Sequence, residues 1–216
     1  MRFSAIYKST ALFSLKDSSS TGSGAKSLFL PSPYAIKMAF LNQAITLSGE
    51  NFTDMAKFSI IRDTKVSYSI YGQFCVNNCF VKIQKQRDNN PFIPTVSFRE
   101  YVFMDNPIEI IFEVKAEKDS MFLKKYLHRI NYFGKRACFF QFTNYNDNPN
   151  EANVRPFDLK CLYSGILQEY DDFEANCTFE MVNSYSEAKT KRDKEVLIIP
   201  LRNVSSSKSY TCYEVC

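Results

Sequence analysis

Residues 26–47, KSLFLPSPYAIKMAFLNQAITL, constrain this chain more than any other stretch. An extended arrival meets a Pro-Ser-Pro stop and then becomes one apolar helix. Ser32 is a good N-cap, and Pro33 falls at the first helical position, where its missing N–H costs nothing. Ile36, Ala39, Phe40, Gln43, Ala44 and Leu47 recur at helical spacing. Just upstream, the small-residue loop Ser18-Ser19-Ser20-Thr21-Gly22-Ser23-Gly24 holds two of the chain's six glycines. A loop rich in backbone donors therefore leads into a helix N-terminus, and such termini favour phosphate through free N–H groups and the macrodipole. Lys26 and Lys37 add charge on either side. The plainer reading of the same residues is a surface loop capping a core helix.

A chain of 216 residues suits one domain, or one domain with an appendage, and can bury a real core. Its 45% hydrophobic and 23% charged content is that of a soluble globular protein. Aromatic residues are abundant at 15%, all Phe and Tyr without Trp. A net charge of +4 is compatible with a nucleic-acid partner without requiring one. The apolar run Ala35–Leu47 is broken by Lys37 and Asn42 and is too short to span a bilayer. The N-terminus MRFSAIYKSTALFSLKD is interrupted by Lys8 and lacks a small-residue cleavage site, so it does not read as a signal peptide. The expectation is a cytoplasmic protein with no membrane partner and no cofactor.

Seven cysteines, an odd number in a chain without a secretory signal, fit free thiols in a reducing compartment. Two pairs have Cys-x-x-x-Cys spacing, Cys75/Cys79 and Cys212/Cys216. A four-thiolate zinc site is conceivable, but structural zinc favours tighter knuckles, and buried cysteines commonly serve as small core residues.

In chain order, Arg2–Leu15 reads as a strand, followed by the loop and the Pro33 helix, which ends at Ser48-Gly49. Phe58–Tyr71 reads as a second strand and Phe74–Ile83 as a third, with a tight turn at Asn77-Asn78. The segment QKQRDNNPFIP, residues 84–94, reads as an exposed loop or finger with an apolar end. Thr95–Met104 and Ile108–Val114 read as strands joined by Asp105-Asn106-Pro107, able to pair as a hairpin. Ser120–Tyr132 is the second clear helix. Asp119 or Ser120 caps it, its apolar face is Met121, Phe122, Leu127 and Ile130, and its basic face is Lys124, Lys125, His128 and Arg129. Gly134 ends it before Lys135-Arg136. Ala137–Phe142 is a core strand. Beyond a polar loop at Asn144–Asn153, Phe157–Leu167 and Cys177–Val182 read as strands around an acidic turn, Glu169-Tyr170-Asp171-Asp172. Ser186–Glu195 reads as a charged loop, and Val196–Leu201 and Ser209–Val215 as strands. The pattern suggests an α+β fold with a ferredoxin-like β-α-β-β-α-β core, one sheet face covered by helices and the other open. RNA-binding modules use that architecture, although fold does not fix function.

Nucleophilic or metal catalysis has little to work with. His128 is the one histidine, and the chain has no Gly-x-Ser-x-Gly, His-x-x-x-His or Walker loop. Tyr126, Lys125 and His128 offer the residue types of metal-independent RNA cleavage, but neighbours on one helix do not converge. Basic residues among aromatics are more prominent: Lys8, Lys26, Lys37, Arg62, Lys85, Arg87, Arg99, Lys135 and Arg136. Lysine and arginine neutralise phosphates, and aromatic rings stack on unpaired bases.

Four stretches carry a resemblance to the RAMP superfamily of CRISPR-associated proteins, and more narrowly to family five, which caps the five-prime handle of the guide RNA in type I Cascade. These are LPSPYAIKMAFLNQAI, SFREYVFMDNPIEIIFEV, LHRINYFGKRACFFQF, and the pair SGILQEYDDF and VLIIPLR. The resemblance implies a ferredoxin-like domain over 1–145 and a β-rich extension over 146–216. It also implies a β-hairpin thumb at Phe74–Thr95, tipped by QKQRDNNPFIP. It implies that the body grips the crRNA handle and that the thumb wedges beside the first pairs of guide and target DNA. The partners would be the Cascade backbone subunit and the large subunit. Lys26, Tyr34 and Lys37 would lie near the RNA path, Lys135 and Arg136 close to phosphates, and Arg87 and Phe92 on the thumb. With Lys8, Lys85 and Arg99, these make up the expected RNA-binding set. No catalytic residue is assigned. An endoribonuclease using His128 and a protein-interaction β-domain without RNA stand as alternatives.

Overall fold

The first strand takes its core face from its apolar residues. In β1, Arg2–Ser9, Phe3, Ala5 and Tyr7 share one face and are buried in the main core, while Ser4 on the other face is buried as well. The computed structural model describes residues 1–19, 24–48, 55–87, 90–160, 162–183, 186–188 and 191–216. The Ser/Gly loop expected at 18–24 falls partly outside them.

Three two-residue strands follow: β2 Leu15–Lys16, β3 Gly24–Ala25 and β4 Ser27–Leu28. Helix α1, Pro33–Ser48, begins as its sequence dictates, with the Ala35 N–H donating to Ser32 Oγ at 3.2 Å. Such a cap contributes about 1 kcal/mol. Ile36, Phe40, Leu41 and Ala44 are buried, and so is Lys37. Phe40 meets Phe112 of the sheet edge-on, with ring centroids 5.4 Å apart. Helix α2 is Met55–Asp63, β5 Lys65–Ser69, β6 Gln73–Arg87, β7 Asn90–Met104, β8 Ile108–Glu113, α3 Glu117–Leu127 and β9 Phe140–Asn146. The C-terminal part holds β10 Arg155–Pro156, β11 Ile166–Phe173, α4 Phe179–Val182, β12 Arg192–Ile199, β13 Leu201–Ser206 and β14 Tyr210–Val215.

The fold is mixed α/β, mostly antiparallel and with few helices. One sheet has the order β5-β8-β1-β9, with every neighbouring pair antiparallel. The chain crosses from β1 to β5 through α1 and α2, and from β8 to β9 through α3. Tyr7 and Phe112 face the core shared with these helices, and the Tyr7 hydroxyl donates to the Leu127 carbonyl at 2.8 Å. A second sheet, β13-β14-β6-β7-β3, is built around the 15-residue strands β6 and β7. A third, β10-β12-β11, flanks α1.

Several sequence expectations are corrected. Residues 58–63 are helical, because Phe58 and Ile61, three apart, both reach the core, and the strand begins only at Lys65. Asn77 and Asn78 do not turn. They sit inside β6 opposite Tyr101 and Glu100. Residues 95–104 pair with that long strand rather than with 108–113, which lies between β1 and β5. The hairpin therefore spans 73–104 and is longer than expected. Helix α3 starts at Glu117, and Asp119 sits in its first turn, where its carboxylate accepts the Ala116 N–H at 3.1 Å. Residue Met121 of its expected apolar face is 60% exposed. Residues 169–172 lie within β11 instead of forming a turn, 179–182 are helical, and 192–195 begin β12.

The cysteine spacing also resolves. Strands β6 and β14 are antiparallel with Cys75 opposite Cys212, their sulfurs 2.9 Å apart. Cys79 and Cys216 then lie four residues away in opposite directions, about 13 Å each at strand rise. One ion cannot reach all four. Burial pushes the Cys75 thiol up to about 11, aided by its bond with Cys212. Among the described residues, no group of three or more His, Cys, Asp or Glu is placed to hold a metal ion. None of the described helices is long and apolar enough to cross a membrane.

A buried ion pair, Lys37 with Asp172, helps tie the body to its C-terminal part. Lys37 Nζ lies 2.7 Å from Asp172 and donates to the Arg62 carbonyl at 2.8 Å, with the lysine side chain 4% exposed and the aspartate 33%. Asp172 can regain water if its partner is lost; Lys37 cannot. Asp172→Asn is therefore expected to cost about 3 kcal/mol, as removing one partner of a buried pair does, while Lys37→Met costs clearly less. Urea unfolding of both variants checks the order, and equal losses would place the burden elsewhere.

Candidate nucleic-acid interface

The N-terminus of α1 faces the turn after α3. Tyr132, Phe133 and Gly134 lead into Lys135 and Arg136, and the turn closes when the Cys138 N–H donates to the Lys135 carbonyl at 2.9 Å. Gly134 has φ +68°, a conformation costly for any residue with a side chain. Cys138 Sγ donates to the Ser14 carbonyl at 3.3 Å, pinning the turn against the segment before β2. Burial pushes that thiol up, partly offset by its hydrogen bonds and by Lys135.

Between these elements lies a cleft of about 500 Å³, lined by Lys16, Ser18, Ser32, Tyr34, Gly134, Lys135, Glu169, Asp171 and Arg192, among others. Its far wall is β11 and β12. Arg192 lies over the Tyr34 ring, 4.0 Å from guanidinium carbon to centroid, and donates to Asp171 at 2.8 Å. Burial works against the Arg192 charge, but Asp171 and the Tyr34 hydroxyl together outweigh it and hold the guanidinium above its usual range. Ser18 Oγ donates to the other Asp171 oxygen at 2.9 Å. Glu169 is paired with Lys194. Both acids are thus matched, and the cleft keeps Lys16 and Lys135 as its unpaired charges among the described residues. Cations around a helix N-terminus, with a guanidinium held over an aromatic ring beside them, can hold a phosphate chain and its bases.

The structure gathers some expected residues and scatters others. Tyr34 and Lys135 line the cleft, Arg136 is exposed on the same turn, and Lys26 is exposed beside β4. Lys37 does not reach a solvent path, because it is buried under Asp172. Arg62 is likewise occupied, by Asp63 and the Cys177 carbonyl. Lys8 is exposed near the end of β1, opposite Gln141 of β9. Lys85 is exposed on the outer hairpin, Arg87 ends β6 opposite Asn90, and Arg99 lies half-buried opposite Cys79. Phe92 is 61% exposed near the hairpin tip.

His128 is exposed at the end of α3, in a shallow depression with Thr10, Asn131 and Gln141. Among the described residues, no second ionisable side chain lines that depression. Tyr126 faces inward, where burial raises its phenol, so Lys125, Tyr126 and His128 do not converge. The sheet face turned from the helices is also a poor RNA platform. It carries Ser4, Glu109, Ile111 and Glu113 in alternation with the core positions, and Asn150 covers Glu109 with bonds of 3.3 and 2.7 Å.

Sequence reasoning missed Lys16, Arg192 and Asp171, and on the hairpin Phe80 and Phe98. Those two rings sit 4.4 Å apart in register, and both are at least half exposed. The signal for Asp171 and Arg192 was strand alternation through EYDDF and RDKEVLII, which brings opposite charges within diagonal reach across the strand pair. Reading those stretches as turn and loop concealed it. Lys16, in β2, carried no such signal.

No protein-family model matches the chain. A curated protein of Archaeoglobus fulgidus, named CRISPR-associated protein Cas5, is 24% identical over an alignment of 174 residues that covers 75% of either chain. The crystal structure of a CRISPR protein from Archaeoglobus fulgidus aligns with a TM-score of 0.48 and 11% identity, covering 100% of this chain and 92% of that one.

Replacing Gly134 by Ala keeps the space around it, since the added Cβ would meet only Leu15 at 3.4 Å. The left-handed backbone remains the cost, about 1 kcal/mol. The expected outcome is a thermal midpoint lowered by a few degrees, read by circular dichroism; an unchanged midpoint would show that the turn relaxes freely.

Proposed function

We propose that this chain, which is similar to a CRISPR-associated Cas5 protein, is a non-catalytic subunit of an RNA-guided complex that binds and caps the five-prime handle of the crRNA. The observation that carries this reading is the cleft at the start of α1, where Lys16 and Lys135 remain unpaired beside Tyr34 and Arg192. On this reading the four-stranded body is a ferredoxin-like RAMP core within residues 1–145. The order β5-β8-β1-β9 with helical crossovers supports it. Residues 146–216 are the extension packed against it. The handle runs along the cleft, with Lys26 and Arg136 as flanking phosphate contacts.

The 73–104 hairpin is the thumb. Its root is held by β14 on one edge, and β3 pairs with Phe98 and Arg99 midway along the other. Its outer part carries Lys85, Phe92 and the Phe80–Phe98 pair. It reaches toward the first pairs of guide and target DNA, and the body docks on the backbone subunit and the large subunit of a Cascade-type assembly in the cytoplasm. The lack of a converging acid and base around His128 favours a binding role over RNA cleavage.

The experiment is purification with the products of neighbouring genes, followed by RNA analysis. A discrete guide-length RNA whose five-prime end this subunit protects is the expected result. The Lys16→Ala/Lys135→Ala double variant should bind repeat RNA about tenfold more weakly and reduce the salt slope by about 1.4, two phosphate contacts at ~0.7 each. His128→Ala should leave RNA processing unchanged. A nucleic-acid-free preparation that binds no repeat RNA would remove this reading, and RNA cleavage lost on His128→Ala would replace it with an endoribonuclease.

A further inference from the structure

On one side of the cleft, Phe173 of β11, Tyr34 of α1 and Arg192 of β12 form a column of touching side chains. Phe173 packs edge-on against Tyr34 with centroids 5.0 Å apart, and Arg192 lies over the Tyr34 ring at 4.0 Å. The Arg192 side chain is 44% exposed, so the column ends in solvent at the cleft. Asp171 holds one nitrogen of the guanidinium, and Ser18 holds the second oxygen of Asp171. The carboxylate is thereby fixed from two sides, and it fixes the guanidinium in turn.

We propose that Arg192 is a base-stacking residue: an unpaired base of the bound strand lies on the outer face of its guanidinium and extends the Phe173–Tyr34–Arg192 column. This rests on the reading of the cleft as an RNA site. Three features separate a stacking role from a phosphate contact. Asp171 already balances the charge of Arg192, which weakens it as a phosphate ligand but leaves its plane intact. The same cleft supplies unpaired cations for phosphate in Lys16 and Lys135. Guanidinium planes and aromatic rings are the groups on which unstacked bases settle, and a cleft of about 500 Å³ lies within the range of small-ligand sites. The base would read as any flat ring, with selectivity left to the guanidinium nitrogens that Asp171 does not use.

The test compares two probes on the full chain by fluorescence anisotropy: a single-stranded RNA octamer, and an abasic ribose-phosphate octamer of the same length. Arg192→Lys keeps the charge and the Asp171 partner but loses the plane. It is expected to weaken the base-bearing octamer about tenfold and to change the abasic one less than twofold. Tyr34→Leu, which removes the ring beneath, should give the same base-only loss and guards against a folding defect in either variant. Lys135→Ala should weaken both probes equally. If Arg192→Lys weakens both probes alike, Arg192 is a phosphate contact and the proposal fails; if it changes neither, the stack is only structural and the proposal fails as well. Wild-type protein that binds neither octamer overturns the RNA reading itself, a result distinct from those two.

Discussion

A lysine ammonium removed from water must meet a carboxylate, and in this chain that carboxylate lies 135 residues away. Burial alone pushes Lys37 below the ordinary lysine range, and Asp172 pulls it back. The pair fixes the rotation of α1 about its axis, because Lys37 must face β11. Once it does, Tyr34 one turn earlier meets Phe173, and Ile36 and Phe40 turn to the four-stranded sheet. Helix α1 is therefore buried on two sides, which is why its sequence is apolar nearly all round rather than striped.

The neighbouring acid follows from the same strand. Asp171 is next to Asp172 on β11, so fixing one at Lys37 fixes the other at the cleft, where it meets Arg192 and Ser18. The structural ion pair and the architecture of the cleft are thus one arrangement. The hairpin depends on a similar economy. The final strand, β14, pairs with the root of β6 through Tyr210–Glu214, and β13 pairs with β14 in turn. The C-terminal residues brace an element more than a hundred positions earlier, while the outer hairpin is left with exposed rings.

Local chemistry made much of the body legible. Ser32 and Pro33 placed the start of α1, and the alternation of apolar residues in β1 placed its core face; Gly134, expected to end the second helix, instead lies in the turn beyond it, since α3 stops at Leu127. The hairpin was visible as a finger with an apolar end, although its length was underestimated. Asn77-Asn78 suits a turn in isolation, and only its ladder with Tyr101 and Glu100 holds it extended. Residues 58–63 are rich in strand-forming side chains, yet Phe58 and Ile61 are recruited by Phe173 and the core at helical spacing. The acidic run 169–172 looks like a turn by composition. It is a strand because Lys194 and Arg192 on β12 neutralise it across the sheet.

The sequence by itself determined the elements whose signals are short in range: a capped helix, a glycine turn, alternating strands and free thiols. It also supplied the residue types of the cleft, Tyr34 and Lys135 among them, because a helix start and a basic turn are written in consecutive letters. Tertiary structure alone decided which charges are available. Lys37 and Lys135 are equivalent in a list of cations. One is consumed by Asp172 inside the fold and the other is left facing the cleft, because ion pairing is settled by distance in space between residues that the chain keeps far apart.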